Sequence, residues 1–281
     1  MYKFILALLF FLASSFSYAV CSGNLRFFEM GDPVDQSVWK LKTREFVPAL
    51  TLSPVIFILP PIVGETALDR QLAMRFCNSG MTVYIVHITR PIPRARETED
   101  FTVHDDAYLR AQAAIQFMMN WLNSETLTQR KFGILGMSLG GVLASYVAAM
   151  EPQIVASTII AGAGNSAGLI AHSDQRIVVE LRLRRMRALG ISSVADYEAE
   201  LRRVLRIDPL DVVASIAPGS MYMFIPNSDT TVPVRYQRQL RYAVREPLVY
   251  VMRGFHKSGL IKATYLHGGK ITSFFRKRLL N

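Results

Sequence analysis

The amino-acid sequence predicts an α/β protein built on a mostly parallel, doubly wound sheet. Three observations carry this reading. Short runs rich in β-branched and aromatic residues recur along the chain, helical patterns separate them, and the runs are continuously apolar rather than alternating. Strands buried on both faces need continuous apolar sequence, and strand–helix alternation is what a parallel sheet covered on both sides requires.

The elements follow in order. Pro54 to Leu59 (PVIFIL) is the first apolar run. Thr66 to Asn78 has helical spacing at Leu68, Leu72 and Phe76 and ends before Gly80, a suitable stop. Met81 to Ile88 is a second strand, and Asp100 to Asn123 a helix that Thr102 or Asp105 can cap. Lys131 to Leu135 reads as a third buried strand, Gly141 to Met150 as a third helix, and Ile154 to Ile160 as a strand again. Met221 to Ile225, a helix over Val234 to Val244, strand Leu248 to Met252 and a C-terminal helix complete the series. The stretch from about Gly162 to Ala217 is long for a link between adjacent strands, and it holds two helical patterns, Asp174 to Leu189 and Val194 to Leu205.

Composition bounds the class. With 281 residues, 51% hydrophobic and 19% charged, one large domain with a substantial core is expected and global disorder is excluded. No repeat or low-complexity linker divides the chain. The first 19 residues read as a signal peptide: Lys3 precedes the apolar run Phe4–Leu12, and Ser17-Tyr18-Ala19 has the small-x-small form of a cleavage site. The mature domain, residues 20–281, is then exported to the periplasm or beyond. Lipid attachment at Cys21 is disfavoured by the bulk of Val20 before it. Cys21 and Cys77 are the two cysteines, and they either form one disulfide or leave Cys77 as a small buried hydrophobe. Their spacing does not build a metal site.

Lys and Arg number 32 against 22 Asp and Glu. Much of the excess sits in Arg176–Arg206 and in Arg276-Lys277-Arg278. No aromatic stacking platform accompanies it, so a nucleic-acid partner is not expected. Arginines interleaved with Ile177, Val178, Leu181 and Leu183 read as an amphipathic basic helix, either solvated or drawn to an anionic membrane surface or an acidic substrate.

One strand end carries chemistry. Gly136-Met137-Ser138-Leu139-Gly140 has the form G-x-S-x-G, directly after the strand KFGIL and before the helix GVLASYVAAM. A sharp strand-to-helix turn exposes a serine hydroxyl, and the flanking glycines leave room for it. A serine nucleophile needs a base and the base an orienting carboxylate. Of the five histidines, His256 follows the last strand and so shares an edge with Ser138. His87 lies inside a strand, His104 near a helix start, His172 in the long connection and His267 near the final helix. Asp229, in the loop NSDTTVP after MYMFI, is the candidate acid, with Asp174 the alternative.

These features resemble the α/β-hydrolase superfamily over nearly all of the mature chain: GMSLG, NSDTTVP and GFH stand in the order Ser, Asp, His that the superfamily uses. The resemblance implies an oxyanion hole from the Leu139 N–H and a second N–H in Pro60-Pro61-Ile62-Val63-Gly64, where many members have His-Gly. Proline has no N–H, so Ile62 is the better donor and Val63 the reserve. It also implies that residues 162–217 form a helical cap. Phe57, Met137 and Phe255 near the strand ends could line an apolar acyl pocket. The expected activity is hydrolysis of an ester or related acyl bond in a small-molecule or lipid substrate, with no metal or organic cofactor. Acyltransferase, thioesterase and peptidase chemistry on the same triad, a non-catalytic binding module, and the oligomeric state stay open at this point.

Overall fold

The computed structural model describes residues 21–48, 53–88, 101–124 and 130–280. The expected signal peptide lies outside the described residues. Eight strands form one sheet in the order β1-β2-β4-β3-β5-β6-β7-β8. Six of them, β3 (Val55–Leu59), β4 (Thr82–His87), β5 (Phe132–Met137), β6 (Ile154–Ile160), β7 (Met221–Pro226) and β8 (Leu248–Met252), pair in parallel. Each is one of the continuous apolar runs, shifted by no more than two residues at an end.

Two strands not expected from the sequence, β1 (Asn24–Gly31) and β2 (Val38–Phe46), form an antiparallel hairpin that extends the sheet by pairing β2 with β4. The reason is physical. In β2 the buried Trp39, Leu41 and Thr43 alternate with the outward Val38, Lys40 and Lys42. One wet face gives period-two alternation, which a search for continuous apolar runs does not detect.

Alternation within the central strands sorts the core into two layers. Phe57 and Ile134 point to one face, with Ile115 and Met118 of α2 (Val103–Ser124), Leu143 of α3 (Leu139–Met150) and, later in the chain, Leu240. Ile56, Ile58 and Leu135 point to the other, against Leu72 and Phe76 of α1 (Ala67–Cys77) and the C-terminal helices. Thr66 caps α1 in a capping box with Asp69.

Four helices stand between β6 and β7: α4 (Ser166–His172), α5 (Arg176–Ala188), α6 (Val194–Val204) and the one-turn α7 (Pro209–Val212). Ala171, Met186, Tyr197 and Leu201 form a small core of their own there, joined by Phe101. Two carboxylates tie this layer down. Asp208 accepts the Asn165 and Ser166 N–H groups (2.9 and 2.6 Å), and Asp105 of α2 accepts those of Arg206 and Ile207 (3.0 and 3.1 Å). The α5 arginines divide: Arg182 donates to the Ala171 and Ser173 carbonyls, and Arg185 is fully buried against His104 (2.8 Å), whereas Arg176, Arg184 and Arg187 face outward.

After β7 come α8 (Val234–Ala243), β8, α9 (His256–Tyr265) and α10 (Gly268–Leu279). The single C-terminal helix expected from sequence is therefore two. The Lys262 carbonyl takes the N–H of both Leu266 and His267, which ends α9.

Cys21 and Cys77 are bridged, with their Cα atoms 6.0 Å apart and a sequence separation of 56. The sulfur of Cys21 then has no bond free for a lipid. Replacing both cysteines by serine should lower unfolding stability by about 4 kcal/mol, from loop-closure entropy alone; an unchanged denaturant midpoint for the double variant would show that the bridge constrains nothing. A second expectation concerns Asp69. Burial pushes its carboxyl well above the usual aspartate range, up to about 6, against the opposing hydrogen bonds from Thr66. The folded state therefore holds a proton that the unfolded state releases, so stability falls as pH rises from about 4 to about 6. Asp69→Asn keeps the cap acceptor and should remove this part of the pH dependence, read as the difference between the two proteins' melting temperatures across that window.

Candidate active site

β5 delivers Ser138 to the carboxyl edge of the sheet, and α3 begins at the next residue. Ser138 has φ 56° and ψ −122°, a region few side-chain-bearing residues adopt. Packing on all sides enforces it. A Cβ at Gly136 would collide with the Gly140 carbonyl, and a Cβ at Gly140 with the Leu59 and Pro60 carbonyls. Both glycines of the motif are thus required by backbone approaching backbone. The Ser138 carbonyl accepts the N–H groups of Gly141 and Val142, closing the first turn of α3 behind the serine. The Leu139 N–H belongs to the open end of that helix, where partial positive charge collects.

The loop after β3 lies over the same helix end through the Leu59 and Pro60 carbonyls that abut Gly140. Ile62 and Val63 are the central residues of a turn closed by Gly64 N–H to the Pro61 carbonyl (2.8 Å); Ile62 is half-buried and Val63 exposed. Glu65 anchors the far side of the loop. Its carboxylate accepts from Arg44 of β2 (2.7 Å), Arg70 of α1 (3.0 Å) and His87 of β4 (3.0 Å). Burial alone would raise the Glu65 carboxyl, but the Arg70 and Arg44 hydrogen bonds outweigh it and hold it below its usual value.

Asp229 sits in the turn after β7, 2% exposed. One carboxylate oxygen accepts the Val232 N–H (2.9 Å); the other accepts from His256 Nδ1 (2.8 Å) and from Gln237 Nε2 (3.0 Å). Backbone bonds carry the geometry from one strand end to the next. Ser138 N–H donates to the Ile160 carbonyl, Ala161 to Phe224, Asn227 to Met252 and Ser228 to Gly254, two residues before His256. Asp229 and His256 are thereby in direct contact at the edge that carries Ser138. Among the described residues no hydrogen bond joins Ser138 Oγ to His256. Catalytic hydrogen bonds are often long before substrate binds.

Asp174, the alternative acid, accepts instead from the hydroxyls of Thr230 and Thr231. Burial would raise its carboxyl, yet those two bonds, with the charge of His256 adding to them, hold it low. The other histidines are engaged elsewhere: His87 with Glu65, His104 with Arg185, His172 with Glu198 (2.8 Å), and His267 against the Tyr250 ring (4.2 Å between centroids). Phe57 and Met137 are core residues, fully buried, and Phe255 is 69% exposed, so these three do not line one acyl pocket. Among the described residues no cluster of three or more His, Cys, Asp or Glu could hold a metal ion.

Gln237 is the residue that sequence reasoning missed. It is fully buried on α8, and its amide nitrogen donates to both Asp229 and the Val232 carbonyl (2.7 Å). Both neighbours only accept, which fixes the amide orientation. Its eight-residue offset from Asp229 resembles ordinary helix spacing, so no motif signals it.

Comparison with protein-family models and with curated proteins returns no match. Solved structures do match. An α/β hydrolase, GrgF, from Penicillium sp. sh18 superimposes with a TM-score of 0.64 at 15% identity, covering 92% of this chain and 100% of that one. Est1E from Butyrivibrio proteoclasticus gives a TM-score of 0.64 at 13% identity, over 92% of this chain and 100% of its own. The Pyrococcus horikoshii acylaminoacyl peptidase gives 0.65 at 13% identity, over 96% of this chain but 43% of that longer one. At such identities the likeness establishes the fold.

Gln237→Leu leaves a carboxylate oxygen of Asp229 short of one donor. We expect the turnover number for an activated ester to fall about tenfold or more while KM changes little. Unchanged turnover in a folded variant would show that the amide does not position Asp229.

Proposed function

We propose that this chain, which has the α/β-hydrolase fold, is a serine hydrolase that cleaves a carboxylic ester or related acyl bond through an acyl-enzyme on Ser138. The observation that carries the reading is a serine held at φ 56° on a helix N-terminus, with an Asp229–His256 pair at 2.8 Å on the same sheet edge. A strained serine and an oriented histidine at one edge have no structural need of each other. The esterases from an Arctic intertidal metagenomic library and from Pyrococcus furiosus, with the acylaminoacyl peptidase, are structural neighbours that support acyl chemistry.

In this mechanism His256 Nε2 takes the Ser138 proton as the oxygen attacks the acyl carbonyl. Asp229 fixes the tautomer by accepting from Nδ1 and stabilises the imidazolium that forms. The Leu139 N–H, with that of Ile62, receives the developing oxyanion at the positive end of α3. His256 then protonates the leaving group, and water, activated by the same imidazole, releases the acyl group. Helices α4–α7 serve as a cap that excludes water and selects the substrate. The signal peptide and the Cys21–Cys77 bridge support export into an oxidising compartment.

Labelling with a fluorophosphonate tests the core of this reading. The wild-type protein should be labelled and the Ser138→Ala variant should not, with ester hydrolysis lowered by about 10³-fold or more. A folded Ser138→Ala protein that keeps its turnover would remove Ser138 from the chemistry.

A further inference from the structure

From Pro247 to Asn281 the chain has seven Lys and Arg and no Asp or Glu, out of a formal net charge of +10 for the whole. This stretch builds β8, the His256 turn, α9 and α10. Arg182 and Arg185 of α5 turn inward, and Arg202 and Arg203 of α6 pair with Glu198 and Glu200. In the C-terminal stretch Lys262 donates to the Arg253 carbonyl (2.7 Å), and Lys270 lies 4.6 Å from the centre of the Tyr250 ring. Those contacts leave both charges uncancelled.

Large apolar side chains share this surface. Lys257, Ile261 and Tyr265 are spaced four residues apart and so lie on one stripe of α9. Ile261 and Tyr265 are about half exposed, and Phe255 and Leu266, at the two ends of the helix, are each 69% exposed. A helix that shows apolar groups bordered by lysines, with no acid nearby in sequence, has the chemistry that anionic bilayers bind. Phe255 directly precedes His256, so this face borders the candidate active site.

We propose that the outer face of α9, with Phe255 and Leu266 at its ends and Arg253, Lys257 and Lys262 around it, docks the protein on an anionic phospholipid bilayer. The apolar groups enter the headgroup–acyl boundary while the cations meet lipid phosphates. Docking of this kind lies in the interface plane; among the described residues no helix is long and apolar enough to cross a membrane. Docking brings the His256 end of the sheet to the lipid surface and makes amphipathic acyl lipids the substrate class. That last step rests on the serine-hydrolase reading; the docking itself does not.

Flotation with vesicles tests it, using the Ser138→Ala protein so that no lipid is turned over. The protein should float with an equimolar mixture of phosphatidylglycerol and phosphatidylcholine, stay behind with phosphatidylcholine alone, and be released by salt. Lys257→Gln should weaken partitioning about five-fold, and Ile261→Ser with Leu266→Ser should abolish it. Circular dichroism of each variant reports its fold. Failure to float on the anionic vesicles, indifference to these substitutions, or a dimer that shields this face in solution would each overturn the proposal. Fluorophosphonate labelling of the wild type separates the two readings. Labelling without flotation removes the docking alone, and flotation without labelling leaves the docking and removes the serine hydrolase.

Discussion

The site depends on one close approach, the backbone of the Gly136–Gly140 turn against the end of β3. Where a side chain would stand at Gly140, the Leu59 and Pro60 carbonyls already lie, and at Gly136 the carbonyl of Gly140 does. With both Cβ atoms missing, α3 can start immediately above the strand. That brings a helix N-terminus, a serine and the loop after β3 to one point. The unfavourable φ of Ser138 is the local cost, and the burial of nearly every α3 residue from Gly140 to Ala148 offsets it. Strain of this kind persists only where surrounding packing leaves the chain no alternative.

From that point the geometry propagates through peptide groups rather than side chains. Each strand end donates to the next across the edge, from Ser138 to Ile160, from Ala161 to Phe224, and from Ser228 to Gly254. Asp229 then needs no long reach to meet His256. The carboxylate is nearly inaccessible to water and takes three donors, from Val232, Gln237 and His256. Three donors fix where the two carboxylate oxygens point, and with them the orientation of the imidazole. Glu65 has the matching task on the opposite flank, where three basic side chains fix the end of the β3 loop.

The parallel core was legible because β3 to β7 are almost wholly buried on both faces, and that requirement leaves little choice of residue. The serine turn was legible because glycine at two fixed positions is a steric necessity. His256 and Asp229 could be picked out by chain order and by their place just after strands. What stayed hidden depends on three-dimensional neighbours. The β1–β2 hairpin has one wet face and mixed composition, so its pattern competes with that of ordinary surface. The break between α9 and α10 turns on which carbonyl two N–H groups choose. Gln237 acts across eight residues through an amide that any solvent-facing glutamine would match in sequence.

The basic residues teach a sharper form of the same point. In α5 the arginines interleave with apolar residues, the pattern expected of a lipid-facing or solvated helix. Arg182 and Arg185 instead reach inward, because the carbonyls of Ala171 and Ser173 and the ring nitrogen of His104 stand within range. A guanidinium with five donors finds such acceptors readily. The lysines of α9 carry a compact charge on a long stem, and the stretch around them offers no carboxylate to meet it. Where a positive charge acts is therefore decided less by the density of basic residues than by the acceptors within their reach: in α5 they draw two guanidinium groups inward, and on α9 Lys257 keeps its charge facing outward.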